Sequence, residues 1–243
     1  MAVRSPDGEK SLSPRSPPVA GQSSPVAGGV GHLGFHRAFA TLRLQDSHSR
    51  ASYEHAMELT RAVVEAKANE YRDNAPLYAV ERDHLGMLPD AFQSGEFGYR
   101  DAEWVVRWTF RRHLGAYPET ERRAHEDAFG DNDESAIRTA LADALAADAP
   151  EVAVSRLTDL DGVDVRVASA FLFFAAPDDY VPVGEREWTV LRDAGVLSRA
   201  YPDSLTPSAY ADSLEACRSL TDRFDCDTWT LYRALWQLGA AEE

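Results

Sequence analysis

The sequence predicts an all-α fold, and three observations carry that prediction. Beyond about residue 50, apolar residues recur at three- and four-residue spacing. No segment sustains the period-two alternation of a half-buried strand. Prolines, glycines and N-cap residues punctuate the apolar runs at helical intervals.

Residues 1–34, with Ser13-Pro14-Arg15-Ser16-Pro17-Pro18 and Gly28-Gly29, hold too few bulky apolar groups to offset chain entropy, and read as a disordered tail. Residues 35–100 read as an N-terminal helical segment. Tyr53, Met57, Leu59, Val63, Val64 and Tyr71 mark a long amphipathic helix over about 52–72, stopped by Pro76. A shorter element follows over 77–85, and Leu88-Pro89 opens another that ends near Gly95.

A second unit, 101–243, begins with Asp101 as the N-cap of a helix carrying Trp104, Val105 and Trp108. That helix ends at Arg111-Arg112, where cations suit its dipole. Asp133 caps the next, with Ile137, Ala140, Leu141, Ala144 and Leu145 on one face. Pro150 sits well in the first turn of a helix over about 150–158. The helix predicted over 165–176 is apolar almost all round and should be the buried centre. A helix ending at Gly195 follows the 177–183 loop. Thr206-Pro207 and Asp227 open the last two helices, and Gly239 is read as the final stop.

Composition bounds the function. The formal charge is -15, from 40 acidic against 25 basic residues, and only Lys10 and Lys67 are lysines. Such an acidic, lysine-poor chain resembles proteins of salt-loving archaea, whose carboxylate surface is an adaptation to solvent. At molar salt, where the Debye length is roughly 3 Å, net acidity counts little against a DNA partner. No run of 18 or more apolar residues exists, so the sequence contains no helical membrane span. The charged, proline-bearing N-terminus implies a cytoplasmic protein. Cys217 and Cys226 are too few for a zinc ribbon or iron-sulfur cluster, and read as reduced, packed thiols. The seven histidines are scattered, and no metal site is expected. Glycine-rich phosphate loops, nucleophile elbows and paired-histidine zinc motifs do not occur.

The segment 157–191 carries a resemblance. Leu160-Asp161-Gly162-Val163-Asp164 precedes an alanine-bearing helix with Arg166 and Ala168; Val183-Gly184 then opens another helix before Trp188. This resembles the helix-hairpin-helix DNA glycosylases of the endonuclease III type, with 157–191 the specific part and 107–236 a looser likeness to an uncharacterised offshoot. The resemblance implies a glycosylase-like helical domain over 101–243. It also implies that the hairpin, Gly162 and Val163 with Asp164, grips a DNA phosphate by backbone N–H groups.

The family's chemistry is not carried over. Its lysine nucleophile falls on Arg166, which stays protonated and forms no Schiff base. Its aspartate falls on Gly184. Glu185, one position on, and Asp179, in the preceding loop, are the substitute carboxylates the sequence offers. Asp164 stands where the family has glycine, so either a monovalent cation bridges it to the phosphate or the grip is weakened. No other cofactor is implied.

Arg100, Arg107, Arg111, Arg112, His113, Arg122 and Arg123 form the main basic concentration, interleaved with Trp104, Trp108 and Tyr117. That mix suits a nucleic-acid groove, for which Arg111 and Arg112 are the DNA-contact candidates. The interspersed Asp101, Glu103, Glu119 and Glu121 favour a salt-bridged helix surface instead. The functional expectation is a DNA-binding relative of base-excision glycosylases without their chemistry. Two alternatives stand beside it: an active glycosylase with a rearranged carboxylate, and a non-enzymatic scaffold module. The sequence specifies neither a protein partner nor an oligomeric state.

Overall fold

The computed structural model describes residues 58–240, and these are helical with no strand. The predicted tail, and the start of the first helix at residue 52, lie outside the described residues. Eleven described helices follow in order. They are α1 Arg61–Asn74, α2 Tyr78–Leu85, α3 Leu88–Ser94, α4 Tyr99–Arg111, α5 Glu119–Phe129, α6 Glu134–Leu145, α7 Pro150–Leu157, α8 Val165–Ala175, α9 Glu185–Asp193, α10 Pro207–Phe224 and α11 Thr228–Ala240.

Helix α8 is the centre, as its composition requires. Of its eleven residues only Arg166 is not buried. It is packed by α3, α4, α6, α7 and α10, so its apolar girth is covered on every side. A second layer is made where α11 packs between α1 and α9. Rings from several helices tie the layers together: Trp108 meets Phe174 edge-on at 4.8 Å, and Tyr232 lies 5.5 Å from Phe173.

Three local expectations change. Helix α1 starts after Thr60, whose hydroxyl accepts the Val63 N–H, so residues 58–60 are not helical. Asp101 is not the N-cap of α4 but lies in its first turn, reaching back to accept the Gly98 N–H at 2.9 Å. Gly239 does not stop α11. It sits inside the helix, where an added Cβ would come within 2.2 Å of Arg186 Cγ and 3.0 Å of its carbonyl oxygen. The glycine is there because α9 and α11 approach closely.

Helix α5 was not anticipated, because only Phe129 of its eleven residues is buried and the apolar period is absent. Its sequence signals are at the ends: Pro118 before it, Glu119 and Glu121 in the first turn, Gly130 after it.

Candidate functional site

The 160–164 turn joins α7 to α8. Gly162 has φ +76°, the left-handed region that favours glycine. It is also pressed against the end of α5: a Cβ there would stand 2.4 Å from the His125 carbonyl oxygen and 2.6 Å from the Phe129 nitrogen. Side chains clamp the same turn. Asn132 exchanges two hydrogen bonds with the Asp161 backbone, at 2.9 and 3.0 Å, and the His125 Nδ1 lies 2.9 Å from the Gly162 oxygen. The turn's Val163 N–H is taken by the Leu160 carbonyl, while the Val163 side chain is buried. Sequence reasoning missed His125 and Asn132, because it missed the helix that carries the first and ends just before the second.

Asp164 is the N-cap of α8. Its Oδ1 accepts the Val167 N–H at 3.0 Å, and its Oδ2 is held by Arg166 Nη2 at 2.6 Å and Nε at 2.9 Å. The carboxylate expected to need a bridging cation therefore has one in the chain, the guanidinium two residues on. Arg166 also donates to the Tyr117 hydroxyl at 2.9 Å. Burial works against its charge, but Asp164 and Tyr117 together raise its pKa above the ordinary arginine value.

Arg166 and Gly184, apart in sequence, wall a single cleft of about 560 Å³. Glu185, Arg186, Arg112, His113, Phe110, Tyr117 and Tyr201 share the wall. The two positions that the sequence resemblance pairs thus converge on one cleft, one holding a guanidinium and the other no side chain. Helix α9 supplies the floor: the Gly184 N–H donates to Glu187 Oε2 at 2.9 Å, closing its first turn.

Arg112 requires a correction. It is not a cation displayed at the end of α4 but is 5% exposed, bonded to Glu187 Oε1 at 2.7 Å and to the Thr109 carbonyl. Its guanidinium stacks over Trp236 at 4.5 Å and Trp108 at 5.0 Å. Burying this charge is tolerable only because the carboxylate is buried with it. A Cβ on Gly184 would lie 3.2 Å from Arg112 Nη2 and 3.1 Å from Glu187 Oε2, so the ion pair occupies the space beside the glycine. Arg112 borders the cleft next to Gly184.

The remaining candidates separate. Arg111 is exposed, 3.9 Å from Glu126, and lines a different groove with Arg100, Arg107 and Trp104. Asp179 is exposed, is not among the residues walling the cleft, and its carbonyl accepts from Arg218. Glu185 is exposed at the cleft wall. The salt-bridged reading of the basic run holds for several members: Arg107 pairs with Glu103 at 2.6 Å, Arg122 with Glu126 at 2.7 Å and Arg123 with Glu119 at 2.5 Å.

The cleft shifts the titration of the groups that line it. Burial and the neighbouring Arg112, Arg186 and Arg166 hold the His113 imidazole down to about 3, so it is neutral at physiological pH. Burial pushes the Tyr201 phenol up to about 12.

No protein-family model matches the chain, and none of the curated proteins matches it. Among solved structures, the chain is similar to the 8-oxoguanine glycosylase/lyase of Methanocaldococcus jannaschii in complex with a 15mer DNA containing 8-oxoguanine. The similarity covers 72% of this chain and 96% of that one, at 14% identity and a TM-score of 0.39.

Proposed function

We propose that this chain binds DNA at the 160–164 hairpin and the adjoining cleft, and that it does so without glycosylase or lyase chemistry. The observation that carries the reading is the convergence of Arg166 and Gly184 on one cleft, with Arg166 bonded to Asp164 of a glycine turn locked to its neighbouring helix. Arg166 supplies charge but no nucleophile, and Gly184 supplies neither charge nor base. Leu114 adds support. It is 65% exposed in the loop between α4 and α5, next to His113 of the cleft, at φ +51°, a conformation that costs a leucine energy. An exposed apolar residue in such a position suits a wedge that enters a base step.

Fluorescence anisotropy with a labelled intact duplex, and with the same duplex carrying an abasic site, tests the binding. Saturable binding that survives high KCl and weakens in Leu114→Ala and Arg166→Glu is expected. Absence of saturable binding to both duplexes overturns the reading. Gly162 is unsuited to this test, because its substitution attacks the packing of the turn.

A second reading, an active glycosylase using Glu185, is favoured by that carboxylate's position at the cleft wall. Incubation with a panel of damaged duplexes separates the two. Base release that Glu185→Gln abolishes establishes the second and removes the first.

A further inference from the structure

One buried carboxylate lies outside the cleft. Glu81, on α2, is 1% exposed and is not among the residues walling that cleft. The Tyr71 hydroxyl of α1 donates to it, 2.8 Å from both Oε1 and Oε2, and the Trp108 Nε1–H of α4 donates to Oε1 at 2.8 Å. Both bonds are donated to Glu81 and, among the described residues, it donates none, the pattern of an ionised carboxylate. Burial raises its pKa, while the Trp108 and Tyr71 bonds and the charges of Arg112 and Arg233 work the other way. A row of oxidisable rings leads to this carboxylate from the surface. Trp104 is partly exposed in the groove between α2 and α4, 6.5 Å from Trp108. The Tyr232 ring of α11 stands 6.0 Å from Trp108 and 6.1 Å from Tyr71. Among the described residues no carboxylate accepts from the Tyr232 hydroxyl, whereas Tyr71 has a proton acceptor in contact.

We propose that Tyr71 is a one-electron redox site, a tyrosine that yields its electron through Trp108 and Trp104 and its phenolic proton to Glu81. The oxidant is an oxygen-centred radical that meets Trp104 in the groove and leaves as its anion. Trp104 gives up an electron and is refilled from Trp108, and Trp108 is refilled from Tyr71. The Tyr71 O–H bond breaks as an O–H bond forms on Glu81, so one electron leaves the pair and one proton moves within it. The product is a neutral tyrosyl radical beside a neutral carboxylic acid. Burial favours that outcome, because the pair begins with one negative charge and ends with none, and a buried carboxylate is costlier than a buried acid. A positive hole stays on Trp108 less readily, because the Arg112 guanidinium lies 5.0 Å from the centre of its ring. Tyr71 is 2% exposed, so the radical it holds is shielded from solvent. The row of rings thus draws an oxidising equivalent from the surface into the core, independently of any nucleic acid bound at the hairpin.

In the test, a ruthenium tris-bipyridyl photosensitiser tethered to the full chain stands in for the radical. The tether is Val80→Cys, in the same groove as Trp104, on a Cys226→Ser background; Cys217 is buried and does not label. Flash-quench oxidation, followed by transient absorption and electron paramagnetic resonance, identifies the ring that holds the radical. A neutral tyrosyl radical is expected, forming more slowly in heavy water because the proton moves with the electron. Tyr71→Phe should abolish the tyrosyl signal and leave a tryptophan radical. Glu81→Gln should lower the tyrosyl yield severalfold, because an amide does not take up the proton. Trp108→Phe should slow its formation. Thermal melts confirm that the variants fold, and the heavy-water measurement needs no change in the network. A radical that stays on tryptophan while Tyr71 and Glu81 are intact overturns the proposal. So does a tyrosyl signal undiminished in Tyr71→Phe, which assigns it to another tyrosine, or one undiminished in Glu81→Gln.

Discussion

Single residues at the turn and the cleft set their geometry by what they lack. At Gly162 the missing Cβ permits both the left-handed backbone and contact with α5. Gly162→Val should lower the unfolding free energy by more than about 2 kcal/mol, since a β-branched residue there meets strain and a backbone clash together. Urea denaturation checks it; an unchanged midpoint would mean that α5 does not press on the turn. At Gly184 the missing side chain makes room for a buried ion pair. The sequence resemblance marks that glycine as a position of interest. What lies next to it was not legible, because Arg112 and Glu187 are far apart in the chain and nothing in either segment announces the other. Arg112 shows the limit most plainly: a cation at a helix end reads as solvated, and only the tryptophans and carboxylate folded around it make burial tolerable.

At the level of elements, helices with a strong apolar stripe or girth were read from the sequence, and α5 was not. Helix α8 announces itself because every face is apolar apart from Arg166. Helix α5 earns its place through Phe129 and through His125, whose contact with the turn is invisible to periodicity. The start of α8 is a second case. Asp164 was read as an intrusion on a phosphate path, and in the fold it is the helix cap, its charge met by Arg166. Asp164→Ala should therefore lower stability by about 1 kcal/mol, the usual worth of a cap. Chemical denaturation measures that loss, and no loss would mean the cap contributes nothing to α8.

For the whole molecule, charge is the governing quantity. With a net charge of -15, carboxylate repulsion works against the compact state, and several arginines of the α4–α5 region are engaged with glutamates on their own helices. Raising KCl from about 0.1 M to about 1 M shortens the Debye length from about 10 Å to about 3 Å, and should raise the melting temperature. Calorimetric scans across that range check it. A falling melting temperature would show that exposed ion pairs outweigh the repulsion. Against this acidic background the arginines at the cleft are met by carboxylates from other segments or from the same helix start, Arg112 by Glu187 and Arg166 by Asp164, and sequence counts do not show that pairing.

The sequence by itself determined the all-helical class, the buried helix at its centre, and the glycine turn before that helix. These are local properties, written in period, capping and residue type. Only the tertiary structure decided that positions 166 and 184 share one cleft, that Arg112 is internal, that Asp164 is neutralised by its neighbour, and that α5 holds the turn. Each of these depends on side chains brought together from distant segments by packing around α8, and a one-dimensional pattern carries no record of which charges will meet.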